Sequence, residues 1–238
     1  PLSAPIVRQL FVLLIIWGGV MMLFPFFSLA IFATHSRAEI FSLPPPLWFG
    51  SHSLENFTTL FKKLDFVHHL SLSFYIALIS CLLTMLIASM AGFALAFYEF
   101  RFKNWVFSII LAMMMLPPFL SMIPTFVIIN SLHWVDEPRA LYIPAAASAF
   151  GVYLIRQFAL LRIPIDIIEA ARMDGASEWR IYRQIALPML KPALSVLGLV
   201  TFITSWNNFI SALVVMRSTS SFTVPLALRS LQLSLIHI

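Results

Sequence analysis

The sequence predicts an all-α fold, a polytopic membrane helical bundle, and three observations carry that prediction. Apolar residues make up 61% of the 238 positions and charged residues only 11%, whereas a soluble domain runs nearer ~45–50% and ~25%. The charges are bunched, leaving long stretches without Asp, Glu, Lys or Arg. Four of these stretches exceed the ~20 residues that a helix needs to cross a ~30 Å hydrocarbon core. The 23 Phe and 15 Pro also argue against a simple coiled bundle.

An ionised side chain at mid-membrane costs about 2.5–3.5 kcal/mol on insertion scales, so the charges delimit the spans. The uncharged run from Gln9 to Thr34 gives a first span at 9–33. No small-x-small cleavage site follows a short apolar region there, so it reads as a span rather than a signal peptide. The next stretch, 34–68, contains Pro44-Pro45-Pro46, Trp48 and Phe57 and predicts an ordered loop with a short helix near Leu54–Leu64. The runs from Leu70 to Tyr98 and from Asn104 to Val135 give spans at 69–98 and 104–131. The run from Ala140 to Ile155 is shorter, roughly 24 Å of helix, but Arg139 and Arg156 can snorkel to the interfaces and a fourth span is expected at 140–157. The run from Pro192 to Met216 gives a fifth at 192–215.

With a cytoplasmic N-terminus, inside segments carry nine Lys and Arg against six outside, the bias expected of inner-membrane proteins. The net charge of +5 then has anionic lipid headgroups as its partner. Nucleic acid is not expected, because no basic stripe is interleaved with aromatics. One Cys excludes a disulfide framework, and the six His form no H-x3-H or H-E-x-x-H pattern, so no metal is expected. The seven Gly and four Lys cannot form a G-x-x-x-x-G-K-[ST] loop, so the chain has no means of hydrolysing ATP itself. No nucleophile–base constellation stands out, and no catalytic residue is expected. Met113-Met114-Met115 reads as packing filler and Cys81 as a small buried hydrophobe.

The segment 156–191 breaks this pattern, holding ten of the chain's 25 charged residues. Pro164 can sit in a first helical turn, with Asp166 and Glu169 near the positive N-terminal end. Gly175 interrupts, and Ser177 can cap a second helix with Glu178 in its first turn. The expectation is a helix, a glycine turn and a helix, lying inside the cell over 158–190. The string Glu169-Ala170-Ala171, three residues, Gly175, nine residues, Ile185, one residue, Leu187-Pro188 resembles the "EAA" loop of permease subunits of binding-protein-dependent ABC importers. Arg172-Met173-Asp174-Gly175-Ala176-Ser177 is similar to the carbohydrate-uptake class, of the maltose-permease second-subunit type. Leu154-Ile155-Arg156-Gln157-Phe158 and Ser205-Trp206-Asn207-Asn208-Phe209 extend the likeness over about 70–215.

That resemblance implies a translocation subunit for a sugar or oligosaccharide, paired with a second homologous permease. It also implies two ATP-binding subunits, which hold the ATP, and an extracytoplasmic solute-binding protein. This chain would carry no cofactor and would not be an enzyme. Glu169, Ala170, Ala171, Asp174, Gly175, Ile185, Leu187 and Pro188 would couple it to the ATPase. Ala170 and Ala171 would keep the peg narrow, and Glu169 would offer a carboxylate to a basic partner. Pro117 and Pro118 sit mid-span and read either as a static kink or as a hinge bordering the solute path. Asn207 and Asn208 either bond a neighbouring helix or face a cavity. Relatives often carry an acidic residue where Asn208 stands, so no charge-pair role is implied here.

Family members usually have a sixth span. The stretch after Pro225 is too short to cross a membrane, Arg229 falls within it, and Leu233–Ile238 does not resemble a family terminus. The expectation is that the C-terminal span is missing through truncation or a chimeric reading frame, and that a short N-terminal piece before Pro1 is missing too. The rival reading, an ion-coupled secondary carrier that needs no ATPase, would place ionisable residues within its spans, and the charge-free stretches disfavour it.

Overall fold

The computed structural model describes residues 4–236, with side chains for all of these except 4–7, 118 and 233–236. His237, Ile238 and the side chains of the rest of the Leu233–Ile238 ending lie outside the described residues, as does the side chain of Pro118. Backbone contacts divide the chain into two units, 1–65 and 66–238.

In the first unit, α1 (Ala4–Phe32) contains a 25-residue apolar stretch long enough to cross a membrane. A short α2 (Arg37–Ile40) follows because Ser36 and Glu39 form a capping box, each side chain accepting from the other's backbone N–H. The loop after it is ordered: Thr34 Oγ1 accepts from the Gly50 amide at 2.7 Å, and Asn56 Nδ2 donates to the Ala33 and His35 carbonyls at 2.9 Å. Asn56 lies on α3 (Ser53–Lys63), the short helix that the sequence places near Leu54–Leu64.

The second unit is built on α4 (Phe66–Phe97). After it come α5 (Lys103–Met115), α6 (Met122–Ser131), α7 (Arg139–Ala146) and α8 (Ala149–Arg162). The charged segment gives α9 (Ile165–Met173) and α10 (Glu178–Ile181), and the chain closes with α11 (Leu187–Trp206), α12 (Phe209–Val215) and α13 (Val224–Ile236). Helices α7, α8 and α11 all pack against α4. Their approach is set by small residues. A Cβ on Gly92 of α4 would lie 2.8 Å from Ile155 Cβ on α8, and one on Gly198 of α11 would lie 2.9 Å from Met85 Sδ. Polar side chains bridge the same seams: Ser205 Oγ donates to Ser80 Oγ at 3.1 Å, and Ser89 Oγ and Tyr182 Oη are 2.7 Å apart. Small residues and short hydroxyls replace hydrophobic drive as the adhesive between helices in lipid.

Several spans differ from straight rods. The 104–131 stretch is two helices meeting at 100°. A residue that precedes proline is pushed out of the α region, and here two in succession are: Leu116 and Pro117 sit at ψ 130° and 131°, before a 3₁₀ turn at Pro118–Ser121. The 140–157 stretch lies in two helices, α7 and α8, interrupted at Ala147, with Ser148 capping α8 through a 3.0 Å bond from the Gly151 amide. The last long helix starts well before Pro192. It runs unbroken from Glu178 to Trp206, stops at Asn207–Asn208, and resumes as α12. Pro188 does not interrupt it, because the turn Tyr182–Ala186 widens to a π-helix with Leu187 N–H bonded to the Tyr182 carbonyl, and the helix continues through Pro192. A π-turn removes the need for the hydrogen bond that Pro188, lacking an N–H, cannot donate.

The second unit has a core at each end. One gathers Phe93 and Phe97 of α4, Ile155 and Ala159 of α8, Ile168 of α9, and Ile181, Ala186 and Leu190 along the final helix. The other joins Ile76, Ile129, Leu141, Ala212, Val215 and Leu226. Beside the second core, Asp136 accepts from the backbone amides of Arg217 (2.8 Å) and Ser218 (3.0 Å), and His69 Nδ1 lies 2.9 Å from the Phe222 carbonyl.

Because Gly92 sits against Ile155 and the Arg156 backbone, Gly92→Val should force α4 and α8 apart and cost about 1–3 kcal/mol. The expected readout is a lower melting temperature of the purified protein in detergent, with Val196→Leu on the exposed face of α11 as an unaffected control.

Candidate functional site

The charged segment folds as an elbow whose shape follows from four residues. Ile163, before Pro164, is extended (φ −107°, ψ 105°) and ends α8. Pro164 opens α9, and Asp166 lies in its first turn. At the other end of α9, Gly175 takes φ +76°, the left-handed conformation that only glycine enters without steric cost. The Gly175 amide donates to the Arg172 carbonyl and the Ala176 amide to the Ala171 carbonyl, both at 3.0 Å, so α9 ends in a Schellman motif. Ser177 then caps α10, its hydroxyl accepting from the Arg180 amide at 3.3 Å.

One side of the elbow is rooted in the bundle. Ile168, Ile181 and Ala186 are fully buried, and Tyr182 packs its ring on Phe93 with centroids 5.6 Å apart. Ile185 and Leu187 are half-buried against the same core. The other side is open: Glu169, Ala170, Asp174, Gly175 and Pro188 are exposed, and Ala171 lies at the margin. The eight residues predicted to couple therefore divide into a tip on α9 and its turn, two anchoring side chains, and the proline that governs the passage into α11. Glu169 makes no ion pair among the described residues. Met173, at 87% exposed, and Trp179, at 58%, add apolar surface to the same face.

A three-residue clamp closes the elbow, and the sequence reading missed it. Arg172 Nε donates to Glu178 Oε1 at 2.8 Å across the glycine turn, and Tyr98 Oη donates to Glu178 Oε2 at 2.6 Å. The Arg172 guanidinium also lies 5.6 Å from the centre of the Tyr98 ring. Burial, reinforced by the Glu178 carboxylate, pushes the Tyr98 phenol up to about 12, and the hydrogen bond to Glu178 raises Arg172 above its ordinary value. The clamp is half exposed, so its ion pair is worth about 0.2–1 kcal/mol. Its effect is geometric: it fixes the angle between α9 and α10 and ties both to the end of α4. Opposite charges flanking Gly175 at Arg172 and Glu178 are the signal that could have found it. The Tyr98 contribution has no local signature.

The remaining candidates lie at the helix breaks. Asn207 and Asn208 line a cavity of about 670 Å³ together with Phe119, Thr125, Phe126 and Phe209. Asn207 Nδ2 donates back to the Ile203 carbonyl at 2.9 Å, and Asn208 Oδ1 caps α12 by accepting from the Ser211 amide at 3.2 Å. Pro117 lines a second cavity, of about 810 Å³, whose wall includes the Ala147–Ser148 break. Ser121 and Thr125 belong to both linings, so the two spaces adjoin. None of the described residues lining either cavity is charged.

The comparisons with known proteins bear on this arrangement. The family described as "Binding-protein-dependent transport system inner membrane component" matches residues 84–237. The arabinooligosaccharides transport system permease protein AraQ of Bacillus subtilis (strain 168) is 34% identical over 213 residues, 88% of this chain and 75% of that protein. The lactose transport system permease protein LacG of Rhizobium radiobacter is 29% identical over 209 residues, 88% of this chain and 76% of its own. The sn-glycerol-3-phosphate transport system permease protein UgpE of Escherichia coli (strain UTI89 / UPEC) is 31% identical, with 85% and 74% covered. In the crystal structure of a bacterial ABC transporter involved in the import of the acidic polysaccharide alginate, one chain shares the fold. The TM-score is 0.80 at 21% identity, covering 97% of this chain and 82% of that one. The chain thus belongs to the family of inner membrane components of binding-protein-dependent transport systems, which makes it a multi-pass permease subunit of an ABC importer working with an ATPase and a solute-binding protein.

Proposed function

We propose that this permease passes a sugar or oligosaccharide through the membrane and that the elbow 158–190 is the piece through which the ATPase moves it. The partners in this reading are a second homologous permease, two ATP-binding subunits that hold the ATP, and an extracytoplasmic solute-binding protein. In this reading the N-terminus is cytoplasmic, and the chain carries no cofactor and no catalytic residue of its own.

The observation that carries the reading is mechanical continuity. The elbow's second helix is the same helix as the last long span, 29 residues from Glu178 to Trp206, or roughly 43 Å at 1.5 Å per residue. It starts at the clamp and ends at the Asn207–Asn208 break beside the 670 Å³ cavity. A displacement at the Glu169–Gly175 tip passes across the clamped turn into this helix and along it to the cavity wall. Buried Ile168, Ile181 and Tyr182 root the tip, so it moves with α4 and α8 rather than independently.

The test is to assemble the full importer in proteoliposomes and measure ATP hydrolysis stimulated by the loaded binding protein. Gly175→Val places a side chain at φ +76°, and Glu169→Lys reverses the tip's unpaired charge. Each should cut stimulated hydrolysis at least tenfold while membrane insertion stays normal. Full stimulation in the double variant would refute the coupling role. A cysteine placed at Ala170, in a Cys81→Ser background, should cross-link to an ATP-binding subunit.

The clamp gives a separate expectation. Glu178→Gln keeps an acceptor for Tyr98 and removes the negative charge that faces Arg172. It should change unfolding stability by less than about 1 kcal/mol yet lower stimulated hydrolysis several-fold. Equal losses in both measurements would mean that the clamp only stabilises.

A further inference from the structure

Relatedness leaves the charge of the solute open, because this chain's relatives include permeases named for arabinooligosaccharides and lactose beside one named for sn-glycerol 3-phosphate. The cavity at the Asn207–Asn208 break speaks to that choice. Its volume of about 670 Å³ falls in the ~300–1,000 Å³ range of small-molecule sites. Three aromatic rings, Phe119, Phe126 and Phe209, share its wall with the neutral polar side chains of Thr125, Asn207 and Asn208. Asn207 engages its NH₂ group with the Ile203 carbonyl, which leaves Oδ1 as an acceptor; Asn208 engages Oδ1 with the Ser211 amide, which leaves NH₂ as a donor.

This lining suits a sugar ring: the electron-rich aromatic faces meet its C–H faces, and the amide and hydroxyl groups replace water on its hydroxyls. It does not suit an anion. A phosphate or carboxylate entering here would leave water and find no Lys, Arg or His among the described lining residues, and an unpaired charge in such a setting is strongly disfavoured. Resting on the importer reading above, we propose that this cavity is a contact site for an uncharged glycan unit and that it rejects phosphorylated and acidic sugars.

The experiment uses the full importer in proteoliposomes loaded with ATP and four labelled probes: arabinotriose, lactose, sn-glycerol 3-phosphate and trigalacturonate. The proposal expects uptake of at least one neutral probe and of neither anion. Phe119→Ala and Thr125→Val, chosen because neither caps a helix, should each lower neutral uptake about five- to tenfold while the loaded binding protein still stimulates ATP hydrolysis. Uptake of either anion, neutral uptake unchanged in both variants, or no uptake of any probe while hydrolysis is stimulated would overturn the cavity assignment and leave the coupling reading standing. Hydrolysis that never responds to the binding protein would overturn both.

Discussion

Because Gly92 lets α4 lie against Ile155 of α8, and Gly198 lets α11 lie against Met85 of α4, three helices meet without intervening bulk. That contact decides where the elbow sits. Ile163, at the end of α8, and Ile168 of α9 pack into the same core as Phe93 and Ile155, and Ile181, Tyr182 and Ala186 return into it. Widening the junction by one side chain would remove the floor on which α9 and α10 rest. Lipid offers no hydrophobic penalty for separating helices, so small residues and the Ser89–Tyr182 and Ser80–Ser205 bonds must hold the contact themselves.

The elbow in turn depends on two backbone devices of opposite kind. At Gly175 the chain reverses in a Schellman turn, which makes a compact tip. At Tyr182–Ala186 the helix widens instead of breaking at Pro188, and continues through Pro192 as one helix to Trp206. The clamp of Arg172, Glu178 and Tyr98 fixes the first device relative to the second. Stiffness is therefore concentrated between the exposed carboxylate of Glu169 and the far end of α11.

Much of this was legible in the sequence, for reasons that vary by element. The apolar stretches were readable because hydrocarbon tolerates so few charges that the charged residues mark the ends. The turn at Gly175 and the cap at Ser177 were readable because each is a local requirement of one residue type. The end of α8 at Ile163 and the break at Leu116–Pro117 follow from the steric effect of proline on its predecessor, yet the sequence reading left a static kink and a hinge both open at Pro117–Pro118. The merging of the elbow with the last span was not readable, since Pro188 looks like an interruption until the π-turn is seen. The clamp was missed because Tyr98 is 80 residues from Glu178 in sequence, and no local pattern reports such a pairing.

The breaks at Leu116–Pro117, Ala147–Ser148 and Asn207–Asn208 share a physical condition. Irregular backbone is not tolerated facing lipid, where its free N–H and C=O groups have no partner, and it survives at membrane depth only against protein or a solvated space. All three breaks border the two adjoining cavities. Two of them are repaired by short side chains: at Ala147–Ser148, Thr84 Oγ1 bonds the Ala145 carbonyl and Ser148 caps α8, and at Asn207–Asn208, Asn208 caps α12. The same interruptions that would be faults in a lipid-facing helix thus supply neutral polar groups where a solute needs to exchange its water. Since those groups come from backbone ends, amides and hydroxyls rather than from charged side chains, the membrane's intolerance of charge and the character of the cavity have one cause.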